Sequence, residues 1–215
     1  MKITAINGSP RGANSNTAVM IKSLLDGFAS NGDSVFNILL SEKNINYCSG
    51  CYSCWSKTPG VCIHNDDMQN IIKEMQDTNI FIIGSPLYFN NISGTLKVFF
   101  DRLTVAGGDP HKNHKNIQSK ITPSYIMVSN CGLPIRSQFD IVSLWINRVA
   151  NMMQSKVIAE FYSTNGKVLT LPTEEQKQSR TNYLEYLTNC GKSISMNMKL
   201  DIEYSDSLKK NVLEF

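Results

Sequence analysis

Four of the six cysteines lie in one short stretch, "CSGCYSCWSKTPGVC", between Cys48 and Cys62. The first three follow a Cys-x-x-Cys-x-x-Cys spacing, which brings their thiolates close enough along the chain to surround one compact metal cofactor. Structural zinc sites usually use two separated pairs of ligands, so this spacing fits zinc less well. Ser49, Gly50 and Ser53 are also typical of a tight surface loop. The cysteines alone therefore leave open an iron–sulfur site and an ordinary loop.

Composition and charge limit the classes of function. The chain has 215 residues, of which 41% are hydrophobic and 18% charged. No apolar run approaches the roughly 20 residues of a membrane span. The net charge of +3 is too small to indicate a nucleic-acid partner. The N-terminal "MKITAINGSPRG" lacks the apolar core of a secretory signal. We therefore expect a cytoplasmic protein without a membrane role, whose reduced thiols serve metal binding or catalysis rather than disulfides.

Apolar runs of strand length alternate with segments of helical period, a pattern that predicts an α/β protein with a parallel sheet. The expected strands are 2–7, 34–40, 79–85, 124–130 and 156–162. The expected helices begin near Ser15 and Asp66, span 92–103 and 137–153, and run from Thr173 to about Lys192. The strand 79–85 is almost wholly apolar, which is typical of the centre of a parallel sheet.

These elements predict a flavodoxin-like, three-layer, doubly wound parallel sheet of five strands in the order 2-1-3-4-5. The length favours a single domain over residues 1–215. The cysteines then fall in an insertion at about 41–65, after the second strand.

Ligands of open parallel sheets bind outside the carboxyl ends of the strands, so the loop "NGSPRGANSNT" after the first strand is a candidate site. Its small polar residues let the backbone curve around an anion, and Arg11 adds a positive charge. Ser15, Asn16 and Thr17 stand at the start of a helix, where N–H groups and the helix dipole favour phosphate. The loop matches neither common nucleotide-binding glycine pattern, so a phosphomonoester fits better. The alternative is a polar turn that caps the helix.

Two further loops follow strands at the same edge. After the third strand, Pro86 stiffens the exit, and Tyr88 and Phe89 offer aromatic surface for a flat heterocycle. The alternative places both rings in the core. After the fourth strand, Gly132 permits close approach of the backbone to a ring system.

Other residues are expected to have structural roles. Asp66 and Asp67 begin a predicted helix, where carboxylates act as caps. Asp101 and Arg102 stand near a helix end and are expected to form a surface ion pair of little energetic weight. Cys190 is expected to be a buried thiol in the last helix.

Three stretches together resemble the NADPH-dependent FMN reductase family of the flavodoxin-like superfamily: "NGSPRGANSNT", "CSGCYSCW" with "CIHNDDM", and "GSPLYFNNISGTLKVFFDR". The resemblance is strongest to the iron–sulfur flavoprotein branch and covers roughly residues 1–135. It implies FMN as a cofactor and NAD(P)H as the electron donor. It also implies a homodimer or homotetramer, because family members usually place flavin sites near subunit interfaces.

The resemblance also implies roles for individual residues. The FMN phosphate would be held by Ser9, Arg11, Ser15, Asn16 and Thr17. The isoalloxazine ring would be bordered by Pro86, Leu87, Tyr88, Phe89 and Asn90, with Asn130, Cys131 and Gly132 closing its other side. The cysteines similar to the ligands of a four-iron four-sulfur cluster are Cys48, Cys51, Cys54 and Cys62. Similar flavin reductases keep cysteines here without a cluster, and some carry two glycines where this chain has "CGLP".

Three functions stay open. The first is an FMN-dependent oxidoreductase that transfers electrons from NAD(P)H to a flavin, quinone or other small acceptor. The second is an iron–sulfur flavoprotein that passes electrons between a four-iron four-sulfur cluster and FMN, with a small molecule or a redox protein as its partner. The third is a non-catalytic flavodoxin-like sensor of thiols or metals, because no catalytic acid or base is evident.

Overall fold

A computed structural model describes residues 1–107 and 122–198 of the chain. Five parallel strands form one sheet in the order β2-β1-β3-β4-β5. The strands are β1 (Lys2–Asn7), β2 (Ser34–Leu39), β3 (Ile80–Pro86), β4 (Ser124–Asn130) and β5 (Val157–Ser163). The predicted strands and their order are confirmed, and no strand end differs from its expected position by more than one residue.

Helices connect the strands. They are α1 (Asn16–Ala29), α2 (Ser53–Ser56), α3 (Met68–Met75), α4 (Gly94–Arg102), α5 (Thr104–Gly107), α6 (Asp140–Met152), α7 (Lys167–Thr170) and α8 (Lys177–Asn197). Short 3-10 helices span Gly12–Asn14, Leu40–Glu42 and Arg136–Phe139. The last helix begins later than expected, because the N–H of Thr173 donates to the side chain of Gln176 and forms a turn first. Within the described part of the chain, no helix combines the length and apolar character needed to cross a bilayer.

Helices α1 and α8 cover one face of the sheet. Their core residues are Met20, Ile21, Leu24, Leu25 and Phe28 of α1, and Tyr183, Leu187, Cys190 and Ile194 of α8. The two helices approach closely at Gly27 and Gly191, where a Cβ would meet backbone oxygens of the other helix at 2.1 and 2.3 Å. The expected burial of Cys190 is confirmed, and that burial raises the pKa of its thiol to about 12.

Helices α3, α4 and α6 cover the opposite face. Their core residues are Met68 and Ile71 of α3, Leu96 and Phe99 of α4, and Val142, Ile146 and Ala150 of α6. Strand β3 is buried from Ile80 to Ser85, as expected for the central strand of a three-layer fold. Helix α1 follows β1 onto one face and α4 follows β3 onto the other. This reversal opens a crevice at the carboxyl edge between the two strands.

Candidate functional site

The loop after β1 runs over the carboxyl edge of the sheet into α1. Ser15 caps α1: its Oγ accepts a hydrogen bond from the N–H of Ala18 at 3.0 Å and donates to the carbonyl of Gly12 at 2.7 Å. Ser9 is buried, and its N–H donates to Oδ1 of Asn7 at 2.9 Å. Nδ2 of Asn7 is buried without a hydrogen-bond partner among the described residues. The loop therefore contains a donor that suits an anionic or carbonyl ligand.

Arg11 is exposed on this loop, and its Nη2 donates to the carbonyl of Asn14 at 2.9 Å. The backbone N–H groups in the first turn of α1 have no acceptor within the helix, and the helix dipole adds positive potential there. The helix-cap interpretation is correct for Ser15. The cap is also compatible with anion binding. Oγ of Ser15 accepts the N–H of Ala18, so the Arg11 charge and the N–H groups of Asn16 and Thr17 remain at the helix start to bind an anion.

Hydrogen bonds join the loops after β1 and β3. The N–H of Gly8 donates to the carbonyl of Gly84 at 2.8 Å, and Oγ of Ser93 donates to the carbonyl of Gly8 at 2.6 Å. Ser93 also caps α4, because its Oγ accepts from the N–H of Leu96 at 3.1 Å. A Cβ on Gly8 would lie 2.5 Å from Cβ of Leu96, so only glycine fits this contact. The loop after β1 is thereby fixed against the start of α4.

The end of β4 joins the same group of loops. Nδ2 of Asn130 donates to Oγ1 of Thr17 at 2.8 Å, and its carbonyl accepts from the N–H of Leu87 at 2.8 Å. Cys131 is buried, and its Sγ donates to the carbonyl of Leu133 at 3.1 Å. Burial raises the pKa of Cys131, so its thiol stays protonated at neutral pH. The predicted phosphate residues and the predicted residues after β4 therefore meet directly.

The loop after β5 also reaches this edge, which the sequence analysis did not predict. Oγ1 of Thr170 donates to Oδ1 of Asn16 at 2.7 Å, and the N–H of Gly166 donates to the carbonyl of Cys131 at 2.8 Å. A Cβ on Gly166 would lie 3.0 Å from Nδ2 of Asn16 and 3.1 Å from Oδ1 of Asn130. The sequence feature that could have indicated this loop is the polar, glycine-containing stretch "STNGK" at the end of an apolar strand.

The residues predicted to border a flat ring form a tight turn after β3. Tyr88 and Asn91 exchange backbone hydrogen bonds at 3.0 and 3.1 Å, and φ is +50° at Phe89 and +58° at Asn90. Positive φ at both central residues is typical of a type I′ turn, which suits Asn but not Phe. The alternative that places both rings in the core is wrong, because Tyr88 is 49% exposed and Phe89 is fully exposed. Pro86 and Leu87 are half-buried, and Gly132 is exposed.

The cysteine loop, residues 43–67, lies between the 3-10 helix after β2 and α3. Cys48 and Cys51 are exposed, and Cys54 and Cys62 are half-buried. The pKa of Cys54 is raised, first by burial and then by the charges of Cys62, Cys51 and Cys48. Cys54 therefore lies within electrostatic range of the other three thiols. In residues 1–107 and 122–198, no three His, Cys, Asp or Glu side chains form a group that could hold a metal ion. Four thiols are nevertheless the donor set of a four-iron cluster, in which each cysteine binds a different iron.

Hydrogen bonds close the neck of the cysteine loop, where Asn44 and Asn46 meet Asp66 and Asp67. The N–H of Asn44 donates to Oδ2 of Asp67 at 2.7 Å, and the N–H of Asp67 donates to the carbonyl of Asn44 at 3.1 Å. The N–H and Nδ2 of Asn46 both donate to Oδ2 of Asp66 at 3.0 Å. The two ends of the loop are thus held together.

Arg102, the last residue of α4, forms a buried ion pair with Asp66 at this neck. Nη1 and Nη2 of Arg102 donate to Oδ2 and Oδ1 of Asp66 at 2.6 and 3.0 Å, and the two side chains are 1% and 0% exposed. The predicted surface pair of Asp101 with Arg102 is wrong, because Asp101 pairs with Lys97 at 2.6 Å. Arg102 follows the buried Leu96 and Phe99 at helical spacing and therefore faces the interior.

The aspartates at the neck cap α3 only in part. Oδ1 of Asp66 accepts the N–H of Met68 at 3.2 Å, as a capping carboxylate does, whereas Asp67 makes no capping hydrogen bond. Burial alone would raise the pKa of Asp66, but hydrogen bonds from Arg102 and Asn46 hold it well below its ordinary value. Burial alone would lower the pKa of Arg102, but Asp66 and then Cys62 raise it. The pair therefore stays charged at neutral pH.

Comparison with known proteins places this geometry in a family. Residues 1–128 match the family described as NADPH-dependent FMN reductase. The chain belongs to this family. An iron-sulfur flavoprotein of Archaeoglobus fulgidus is 30% identical over 149 residues, which are 69% of this chain and 62% of that protein. An iron-sulfur flavoprotein of Methanocaldococcus jannaschii is 38% identical over 102 residues, which are 47% of this chain and 51% of that protein.

The matches to these two relatives thus cover less than two thirds of the length of either. A solved NAD(P)H:quinone oxidoreductase from Methanothermobacter marburgensis superposes with a TM-score of 0.66 at 11% identity, over 90% of this chain and 96% of that one. This structural likeness confirms that the chain has the flavodoxin-like fold.

The thiols of the cysteine loop are expected to differ in reactivity in the iron-free protein. Hydrogen bonds from the N–H and then the hydroxyl of Ser53, followed by the hydroxyl of Ser49, lower the pKa of Cys51 to about 7, whereas the pKa of Cys54 is raised. Because the thiolate is the nucleophile, iodoacetamide should alkylate Cys51 faster than Cys54 at pH 7. Peptide mass spectrometry after timed quenching measures both rates. Equal rates at the two cysteines would contradict the assignment.

The turn at Phe89 is expected to be strained. Replacing Phe89 by Asn, which tolerates positive φ, should raise the free energy of unfolding by about 1 kcal/mol, because the exposed ring contributes little packing. Urea unfolding of the flavin-free protein measures the change, and Phe89→Tyr serves as a control that keeps the unfavourable backbone preference. A destabilised Phe89→Asn variant would show that the ring stabilises the protein.

Proposed function

We propose that this chain is an FMN-dependent oxidoreductase that transfers electrons from NAD(P)H to a flavin, a quinone or another small acceptor. The observation that carries the proposal is the meeting of the loops after β1, β3, β4 and β5 at the carboxyl edge. The bond between Thr17 and Asn130 joins two of these loops directly. Membership of the NADPH-dependent FMN reductase family supports FMN as the group that binds there.

In this proposal the loop after β1 and the start of α1 hold the FMN phosphate. The buried Ser9 and Ser15 keep the loop curved, and the N–H groups of Asn16 and Thr17 donate to phosphate oxygens. Arg11 supplies a full positive charge and exchanges its bond with the Asn14 carbonyl for a charge-assisted bond to phosphate.

The ring of FMN would lie between the turn after β3 and the end of β4. The turn contributes Pro86, Leu87, Tyr88, Phe89 and Asn90, and the end of β4 contributes Asn130, Cys131 and Gly132. Tyr88 and Phe89 are exposed at this edge, and a Cβ on Gly132 would meet no atom of residues 1–107 and 122–198 within 4 Å, so a flat ligand has apolar surface and room. Bound FMN supplies hydride and single-electron chemistry. The chain's residues orient the ring, and Cys131, with its raised pKa, remains a neutral wall.

The phosphate assignment is tested with two ligands that differ only in the phosphate. Arg11→Ala should raise the dissociation constant of FMN about ten-fold, because it removes a charge-assisted hydrogen bond. The affinity for riboflavin, which has no phosphate, should not change. Fluorescence titration measures both constants. Equal effects on the two flavins, or none on either, would contradict the assignment.

The activity itself is tested by following NADPH and NADH oxidation at 340 nm with FMN and a quinone acceptor. We expect oxidation that depends on added or retained FMN. A protein that neither binds FMN nor oxidises either nucleotide would contradict the proposal and favour the non-catalytic sensor of thiols or metals.

A second candidate function is an iron–sulfur flavoprotein that passes electrons between a four-iron four-sulfur cluster and FMN. It is favoured by the four free cysteines of the 43–67 loop, and by relatives named iron-sulfur flavoprotein. In this candidate Cys48, Cys51, Cys54 and Cys62 are the ligands. The bound cluster would supply single-electron transfer, and the chain would shield and position it.

Iron content separates the two candidates. If the cluster is bound, anaerobically purified protein should contain iron and sulfide in equal amounts and absorb broadly in the visible region beyond the flavin bands. Cys54→Ser should lose this iron while keeping FMN, and Ser56→Ala, whose hydroxyl bonds only to the Tyr52 carbonyl among the described residues, should keep both. Wild-type protein with flavin but no iron would contradict the cluster and leave the simple reductase.

A further inference from the structure

The cysteine loop is attached to the rest of the molecule through the end of α4. All four cysteines of the loop lie between Asn46 and Asp66, which are the residues that Arg102 joins. Nη1 of Arg102 donates both to the carbonyl of Asn46 at 2.8 Å and to Oδ2 of Asp66 at 2.6 Å. One guanidinium therefore bonds to both ends of the loop.

The guanidinium also has one buried donor left over. After its two terminal nitrogens bond to Asp66 and Asn46, the remaining Nε of Arg102 is buried without a hydrogen-bond partner among residues 1–107 and 122–198. After Asp66, the charge of Cys62 also raises the pKa of Arg102. A sulfur that carries negative charge, as a metal-bound cysteine does, would give this buried donor an acceptor.

We propose that Arg102, fixed by Asp66, is a positioning residue that closes the neck of the cysteine loop and so keeps its four cysteines together for an iron–sulfur cluster. The inference rests on the second candidate function and adds a residue that is not a ligand. A second contact holds the middle of the loop, because Nε1 of Trp55 donates to the carbonyl of Thr104 in α5 at 2.7 Å. Both contacts fix the loop to the segment that follows Phe99.

The geometry explains why an arginine is needed. Asp66 accepts from both terminal nitrogens of the fork, and one of these nitrogens also reaches Asn46. A lysine has a single nitrogen and cannot make the forked pair with Asp66 and the bond to Asn46 together. Arg102→Lys therefore keeps the positive charge but loses the set of hydrogen bonds that joins Asn46 to Asp66.

The experiment uses three variants of the full chain. Arg102→Lys tests the fork, and the double variant Asp66→Asn with Arg102→Gln removes both charges, so that neither is left buried and unpaired. The control is Lys97→Gln, which removes a positive charge from the exposed ion pair on the same helix. Each anaerobically reconstituted protein is assayed for iron retained against a chelator, for FMN affinity, and for tryptic cleavage at Lys57 inside the loop in the iron-free state.

We expect Arg102→Lys and the double variant to lose iron about ten-fold more readily than wild type, the low end of the cost of removing a residue that orients a metal ligand. Their iron-free loops should be cut faster at Lys57, while FMN affinity and the Lys97→Gln control stay at wild-type values. If the double variant does not fold, Arg102→Lys decides the outcome.

If Arg102→Lys folds, retains iron as well as wild type and is cleaved at Lys57 no faster, the proposal is overturned. A wild-type protein that binds FMN but no iron would also overturn it, and would leave the proposed reductase function intact. Loss of FMN binding in wild type would instead count against the reductase function.

Discussion

The structure depends on one constraint, which is that its parallel sheet reverses the direction of winding between β1 and β3. Because α1 and α4 lie on opposite faces, the loops that lead into them separate and leave a crevice at the carboxyl edge. The bonds of Gly8 to Gly84 and of Ser93 to Gly8 fix the two sides of this crevice. The loops after β4 and β5 then close around it through Asn130, Thr170 and their partners on α1. The candidate flavin site follows from the order of the strands.

Helix α4 connects this edge to the cysteine loop. It begins beside Gly8, where Ser93 caps it, and ends at Arg102, which holds the neck of the loop. Its 9 residues correspond to a rise of about 13 Å. The same helix therefore contacts the loop after β1 at one end and the cysteine loop at the other. In the iron–sulfur candidate, α4 is the element of the chain that fixes one electron-carrying site relative to the other.

Sequence reasoning was accurate where a local pattern determines the structure. Strands β1 to β5 are apolar runs, and Ser15 caps α1, as its place at the start of the predicted helix indicates. It failed at Arg102 and Asp66, which are 36 residues apart in the chain but share one buried ion pair. The spacing of Leu96, Phe99 and Arg102 did mark the arginine as inward-facing. Its partner, however, is supplied by a long-range contact that no local pattern encodes.

The same limit applies to the candidate site. The loops after β1, β3 and β4 were found because polar and glycine residues follow apolar strands. The contribution of Gly166 and Thr170 was missed, because their role depends on where β5 lies beside β4. The predicted phosphate residues and the predicted residues after β4 proved to be neighbours, but their contacts to FMN remain proposals.

The central claim is that FMN binds at this carboxyl edge with its phosphate at the start of α1. A crystal structure of the protein grown with FMN tests it most directly. The account predicts the phosphate within hydrogen-bonding distance of the Asn16 and Thr17 N–H groups and of Arg11, and the ring between the Tyr88–Asn91 turn and Gly132. FMN bound elsewhere, or with its phosphate away from α1, would contradict it.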